Sequence, residues 1–227
     1  VYKRQIHTLS SYGDILIIRH PEKGMVSKAA TLSSIPIINA GDGNGEHPTQ
    51  ALTDIYTMYK KYGWKFTKKS ILITGDIKNS RTVHSLINIL NIYPEMKIYL
   101  LPYKGLEPTD DLLNTISQYH NQNKESIVVN LDNLNYNSFD ILYCTRIQKE
   151  RIDNNFVIIS KKQIEPDFII DETFVDKMNE DAIVMHPLPR NNELSTCVDK
   201  NKRCYYFKQM EYGTEIRIVL LHMLLHV

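Results

Sequence analysis

The chain is short of most features that would mark an unusual class. Its three cysteines, Cys144, Cys197 and Cys204, form no C-x-x-C pair and are too few for a disulfide or zinc framework. Reduced thiols in a cytoplasmic protein are the expectation. Apolar runs such as Ile15–Ile18 and Val219–Leu221 are far shorter than a membrane span, so no membrane partner is expected. Neither charge sign dominates: 27 Lys and Arg stand against 26 Asp and Glu, a net of +1, which leaves no basic field for nucleic acid. No signal segment and no methionine open the chain, and Val1-Tyr2-Lys3-Arg4-Gln5 reads as the start of a fragment. Arginine is also scarce, at 8 residues within those 27 cations, so its positions carry information.

What remains is an ordinary globular composition: 227 residues, 42% hydrophobic and 23% charged, enough for one large or two small domains. Short apolar runs alternate with segments of helical period. Strands are predicted at 14–18, 35–39, 71–74, 97–101, 126–130, 140–144 and 182–185. Between them, Met25, Ala29 and Leu32 share a helix face, and Leu52, Ile55, Tyr56 and Tyr59 follow Pro48 at helical spacing with Gly63 as a C-cap. Val83, Leu86, Ile87 and Leu90 mark another helix, and one opened by Thr109-Asp110-Asp111 turns Leu112, Leu113 and Ile116 inward. The last amphipathic segment spans 215–226. This alternation predicts an α/β fold with doubly wound parallel sheets.

In such sheets ligands bind beyond the carboxyl ends of the strands. Five polar strings fall there: Arg19-His20-Pro21, Glu46-His47-Pro48-Thr49-Gln50, Ser80-Arg81-Thr82, the 145–151 stretch Thr-Arg-Ile-Gln-Lys-Glu-Arg, and His186-Pro187-Leu188-Pro189-Arg190. Arg19, Arg81, Arg146, Arg151 and Arg190 lie inside them, although Lys outnumbers Arg overall. That bias points to bidentate forks for carboxylate or phosphate. A lone Arg at a strand end is more often a surface or ion-pair residue, and His before Pro is most often a turn residue; it is the agreement of five turns that carries weight. His7, His84, His120, His222 and His226 read as turn or packing residues. Gly41-x-Gly43-x-Gly45 has the wrong spacing for a dinucleotide fingerprint. Cys144 has no evident base to make it a nucleophile, and no spacing recommends a metal.

These same strings, together with 39–43 and Gly75-Asp76, resemble the aspartate carbamoyltransferase family from about Ile6 to the end. The resemblance implies two doubly wound parallel-sheet domains, the first incomplete: 1–48, rejoined by 213–227 as a last helix, for carbamoyl phosphate, and 49–212 for aspartate. It implies transfer of the carbamoyl group of carbamoyl phosphate to the amino group of L-aspartate, with no cofactor and no metal. Arg19 and His47 would be the catalytic pair near the carbonyl oxygen; Arg19, His47, Gln50, Leu188 and Pro189 would hold carbamoyl phosphate; Arg81, Arg146 and Gln148 would grip aspartate. A homotrimer with shared active sites is implied. The family's Ser-x-Arg-Thr-Arg phosphate loop and a lysine loop should precede residue 6 and are not in this sequence, so this stretch alone is expected to be inactive. Asn79-Ser80 departs from the family at the turn that aims Arg81. A non-catalytic homologue serving as a scaffold, or a carbamoyltransferase for another amino acid, are the competing readings.

Overall fold

The computed structural model describes residues 2–43, 45–151 and 165–226. The chain opens with α1 (Tyr2–Ser10), followed by β1 (Leu16–His20), α2 (Met25–Leu32), β2 (Ile37–Asp42) and α3 (Pro48–Tyr62). Then come β3 (Ser70–Gly75), α4 (Arg81–Leu90), β4 (Lys97–Pro102), α5 (Asp110–His120), α6 (Lys124–Ile127) and β5 (Ile141–Thr145). The last elements are α7 (Glu172–Asp176), β6 (Ile183–Met185) and α8 (Tyr206–Leu225). β1 and β2 form a two-stranded parallel sheet, and the other strands form a parallel sheet in the order β4-β3-β5-β6.

The apolar runs are strands because both faces of the larger sheet are covered. Ile71, Ile73, Ile141, Tyr143, Ile183 and Met185 pack toward α3, α4 and α5, with Met58, Leu86 and Ile116 in the same core. The alternate residues Leu72, Leu142, Cys144 and Val184 pack on the opposite side with Phe174, Val198 and Tyr206. A strand buried on both sides loses the polar alternation of a half-exposed one, as the sequence of β3 does.

Helix ends follow the expected chemistry. Pro48 opens α3 in its first turn and Gly63 ends it at φ 57°, while the Thr109 side chain accepts from the Leu112 N–H at the start of α5. Three expectations need correction. The predicted strand at 126–130 is instead α6 followed by a single bridge from Val128 to Leu100: Asn123 caps the helical turn by accepting from the Glu125 N–H, which takes the first residues out of the sheet. β1 and β2 sit about two residues later than predicted, their pairing running from Leu16 with Ile37 to His20 with Asp42, so Arg19 and His20 end the strand rather than follow it. The last helix starts at Tyr206, not near 215: its added first turns bury Tyr206 and Gln209, and that buried polar residue hid the helical period. Helix α1 was not anticipated; it buries Ile6.

Gly75 lets the central strands close up. Its φ is +110°, and a Cβ there would lie 2.0 Å from the Thr145 carbonyl oxygen, opposite it on β5. Gly75→Ala should therefore cost roughly 2–4 kcal/mol, from overpacking and a backbone conformation that L-residues avoid. Urea midpoints would show it, with Gly13→Ala, where a Cβ meets nothing nearer than 3.8 Å, as the reference. Equal midpoints would contradict it.

Candidate active site

The carboxyl ends of β1, β3, β5 and β6 and the start of α3 converge on one cleft. It is lined by Arg19, His47 and Gln50 from the first part of the chain, and by Ser80, Arg81, Thr82, Thr145, Arg146, Gln148, Glu150 and the 186–189 turn from the rest. All eight residues singled out from the sequence line it: Arg19, His47, Gln50, Arg81, Arg146, Gln148, Leu188 and Pro189.

Most of them are held by hydrogen bonds with neighbouring residues. Arg19, the fourth residue of β1, is exposed and has no polar partner among the described residues. His47 is the N-cap position of α3; its N–H donates to Ser85 Oγ at 2.8 Å, and Ser85 in turn donates to the Glu46 carboxylate. Gln50 is buried, with Nε2 donating to Asp54 Oδ1 at 2.8 Å one helical turn further on. Arg81, the first residue of α4, is only 7% exposed and donates to the Gly43 carbonyl at 3.2 Å. Its guanidinium lies flat on Gly41, where a Cβ would come within 2.9 Å of Nη1. The glycine string that fails as a nucleotide cradle thus serves as the bed for an arginine.

Two aspartates missing from the sequence-derived set organise these turns. Asp76 is fully buried; Oδ1 accepts from the Asn79 N–H at 2.9 Å, and Oδ2 accepts from the Gln148 N–H at 2.9 Å. It fastens the turn that leads to Arg81 to the turn that carries Arg146. The Asn79-Ser80 departure is absorbed here, since Asn79 Nδ2 also donates to Asp76 at 3.0 Å and Ser80 Oγ pairs with Thr145 Oγ1 at 3.1 Å. Asp54 accepts from Gln50, from Gln209 Nε2 at 2.6 Å and from the Tyr143 hydroxyl at 3.0 Å. Its position four residues after Gln50 is a signal that helix spacing could have supplied.

Arg146 makes a two-pronged pair with Glu150, at 2.5 Å and 3.2 Å, which pushes its guanidinium pKa up. Gln148 Nε2 donates to the Arg146 carbonyl at 3.2 Å. In the 186–189 turn, His186 is fully buried; Nδ1 accepts from the Leu188 N–H at 2.8 Å and Nε2 donates to Glu193 at 2.9 Å. Burial lowers its pKa, and an Nδ1 already engaged as an acceptor keeps the ring neutral. Leu188, half-buried, sits at φ 46°, a left-handed conformation held by its N–H bond to His186. Arg190 does not line the cleft: it pairs with Asp199 and lies over the Tyr206 ring, 5.6 Å away. The Arg151 side chain lies outside the described residues. Cys144 is buried, which pushes its thiol pKa well up and suits a core residue. Among the described residues no three His, Cys, Asp or Glu side chains gather as a metal site.

The carbamoyl-P binding domain of aspartate/ornithine carbamoyltransferases matches residues 2–60, and the Asp/Orn binding domain of the same family matches residues 67–224. The chain belongs to that family. Among its relatives, the aspartate carbamoyltransferase catalytic subunit of Clostridium novyi is 40% identical over 222 residues, covering 98% of this chain and 70% of the relative. Aspartate carbamoyltransferase 2, chloroplastic, of Pisum sativum is 38% identical over 221 residues, covering 97% of this chain and 56% of the relative. The chain thus spans little more than half of the pea carbamoyltransferase. The aspartate transcarbamoylase of Trypanosoma cruzi in complex with carbamoyl phosphate and aspartate superimposes with a TM-score of 0.82 at 35% identity, covering 97% of this chain and 70% of that one. The carbamoyltransferase α/β fold, with parallel sheets flanked by helices, is the one seen here.

Burial pushes the Asp54 carboxyl up to about 7, against three hydrogen bonds that favour its charged form. An unfolded Asp titrates near ~4. Between those values the folded chain holds a proton the unfolded chain has released, so this group takes stability away as pH rises from about 4 to about 7, after which its effect levels off. Asp54→Asn removes the titration. The Tm of the variant relative to the parent should therefore climb between pH 5 and pH 8, and a constant gap would contradict a raised Asp54.

Proposed function

We propose that the protein transfers the carbamoyl group of carbamoyl phosphate to the amino group of L-aspartate, giving N-carbamoyl-L-aspartate and phosphate, the carbamoyl-transfer step of pyrimidine synthesis. What carries the reading is one cleft shared by the Arg19, His47 and Gln50 group and the Arg81, Arg146 and Gln148 group. The Clostridium and pea relatives are named as aspartate carbamoyltransferases, and the Trypanosoma structure holds carbamoyl phosphate and aspartate. Family membership and intact cleft residues favour an enzyme over a scaffold.

In this reading Arg19 and His47 donate toward the carbonyl oxygen as the aspartate amine attacks the carbamoyl carbon and negative charge builds on that oxygen. Preplaced donors of this kind act mainly on the transition state. The carbonyls of Leu188 and Pro189 and the amide of Gln50 receive the carbamoyl and amine N–H groups. Arg81, Arg146 and Gln148 hold the two aspartate carboxylates, with Arg146 exchanging Glu150 for substrate. The bond to phosphate breaks as the C–N bond forms, and the leaving phosphate takes the amine proton. No covalent enzyme intermediate is required. The reading includes a division into 1–48 with 213–227 and 49–212, a homotrimer with shared sites, and a reducing, cytoplasmic setting; three unpaired thiols support the last.

Two variants of the full-length protein test these roles. Arg146→Ala should raise the aspartate KM far more than the carbamoyl phosphate KM, since losing one partner of a partly buried charge pair costs about 2–5 kcal/mol. An unchanged aspartate KM would remove Arg146 from the site. His47→Ala should lower kcat by roughly 10²–10³ while leaving residual turnover. Ping-pong kinetics or a carbamoylated His47 would contradict a purely donating role.

A further inference from the structure

Asp54 lies outside the cleft, fully buried, yet touches the supports of two of its walls. Its Oδ1 accepts from the side-chain amides of both Gln50, at 2.8 Å, and Gln209, at 2.6 Å. A side-chain amide has one donor end and one acceptor end, so an oxygen that takes the donor end decides where the other points. With Nε2 committed to Asp54, Gln50 leaves its carbonyl oxygen for the cleft it lines, and that oxygen has no partner among the described residues. With its own Nε2 committed to the same atom, Gln209 turns its carbonyl oxygen to the His186 N–H at 2.9 Å. His186 then holds the Leu188 N–H through Nδ1. The Tyr143 hydroxyl donates to the other Asp54 oxygen and anchors the carboxyl to β5.

We propose that Asp54 is a positioning residue that sets the polarity of the carbamoyl-nitrogen pocket. Through Gln50 it fixes one acceptor, and through Gln209 and His186 it fixes the turn that offers the Leu188 and Pro189 carbonyls, so that the pocket demands N–H donors. The inference rests on the carbamoyl phosphate reading of the cleft. It assigns to one buried carboxyl the choice of a carbamoyl over another acyl group. A methyl in that pocket would face three oriented oxygens and satisfy none, and buried acceptors left without donors are costly.

The test compares binding of carbamoyl phosphate with binding of acetyl phosphate, which carries a methyl in place of the amino group, to the full-length protein by calorimetry. The parent should prefer carbamoyl phosphate. Asp54→Val should narrow that preference about tenfold, chiefly by weakening carbamoyl phosphate, in line with the loss of one or two oriented hydrogen bonds. Asp54→Asn keeps an acceptor oxygen at the same place and should hold the ratio within about twofold. A merely structural role would weaken both ligands alike, and an unchanged ratio in Asp54→Val would overturn the proposal. If Asp54→Val does not fold, Gln209→Met decides, since it cuts only the link to the turn: a ratio narrowed about threefold or more supports the proposal, and an unchanged one overturns it. A parent that binds neither phosphate would overturn the reading of the cleft itself, a result distinct from an unchanged ratio.

Discussion

The Asp76 carboxylate is the constraint on which the cleft depends. A parallel sheet delivers the ends of β3 and β5 side by side, but a strand end alone does not fix the turn that follows it. Asp76 does so by taking backbone N–H groups from both turns at once, Asn79 on one side and Gln148 on the other. The group is fully buried, so these donors replace water at a carboxylate that would otherwise be expensive to bury. Breaking either bond would therefore loosen the turn it holds. Gly75 adds the geometric half of the same constraint, because the close approach of its backbone to Thr145 sets the spacing between the two strands.

Given that frame, the choice of arginine over lysine follows. Arg81 lies flat on Gly41 and reaches the Gly43 carbonyl, and Arg146 meets Glu150 through two nitrogens. Both arrangements use the planar fork, which an ammonium does not have. The Arg81 arrangement also joins the two parts of the chain: the end of β2 and the turn after it are the surface against which the first residue of α4 rests. Cations dominate the lining, with Arg19, Arg81 and Arg146 against the single carboxylate of Glu150. That balance gives the cleft a positive field, and the Glu150 pair orients one of its forks.

Much of this was legible in the sequence because parallel α/β sheets put function at predictable places. The apolar runs marked most of the strands and the polar strings after them put Arg and His at the cleft, while the full set of eight came from the resemblance of those strings to the carbamoyltransferases. Arg190 shows the limit of that signal: it sits in a matching string but serves Asp199 and Tyr206, and no turn pattern distinguishes the two uses. The residues missed were those that act through others. Glu193 and Gln209 are buried polar groups whose partners come from the turn after β6 and from α3, and only the folded arrangement joins them; Asp54 shares a helix with Gln50, but its bonds to Tyr143 on β5 and Gln209 on α8 leave no trace in the sequence. The strand predicted at 126–130 failed for a local reason, the Asn123 cap, which outweighs two valines at the edge of β4.

The same contrast separates two electrostatic regimes within a few residues of one another. On the side of Arg81 and Arg146 the supporting acid is Asp76, which accepts from backbone donors of both turns and from the Asn79 side chain. On the side of Gln50 and the 186–189 turn the supporting acid is Asp54, whose partners are two amides and a phenol, with no cation among them. Burial without a counter-charge raises its pKa to about 7, near neutrality. His186, held neutral by its Nδ1 bond, belongs to this second regime as well. This wall is ordered by a chain of hydrogen bonds through Asp54, Gln209 and His186, with no arginine among those partners. The cleft thus sets a wall of arginines beside a wall ordered by hydrogen bonds.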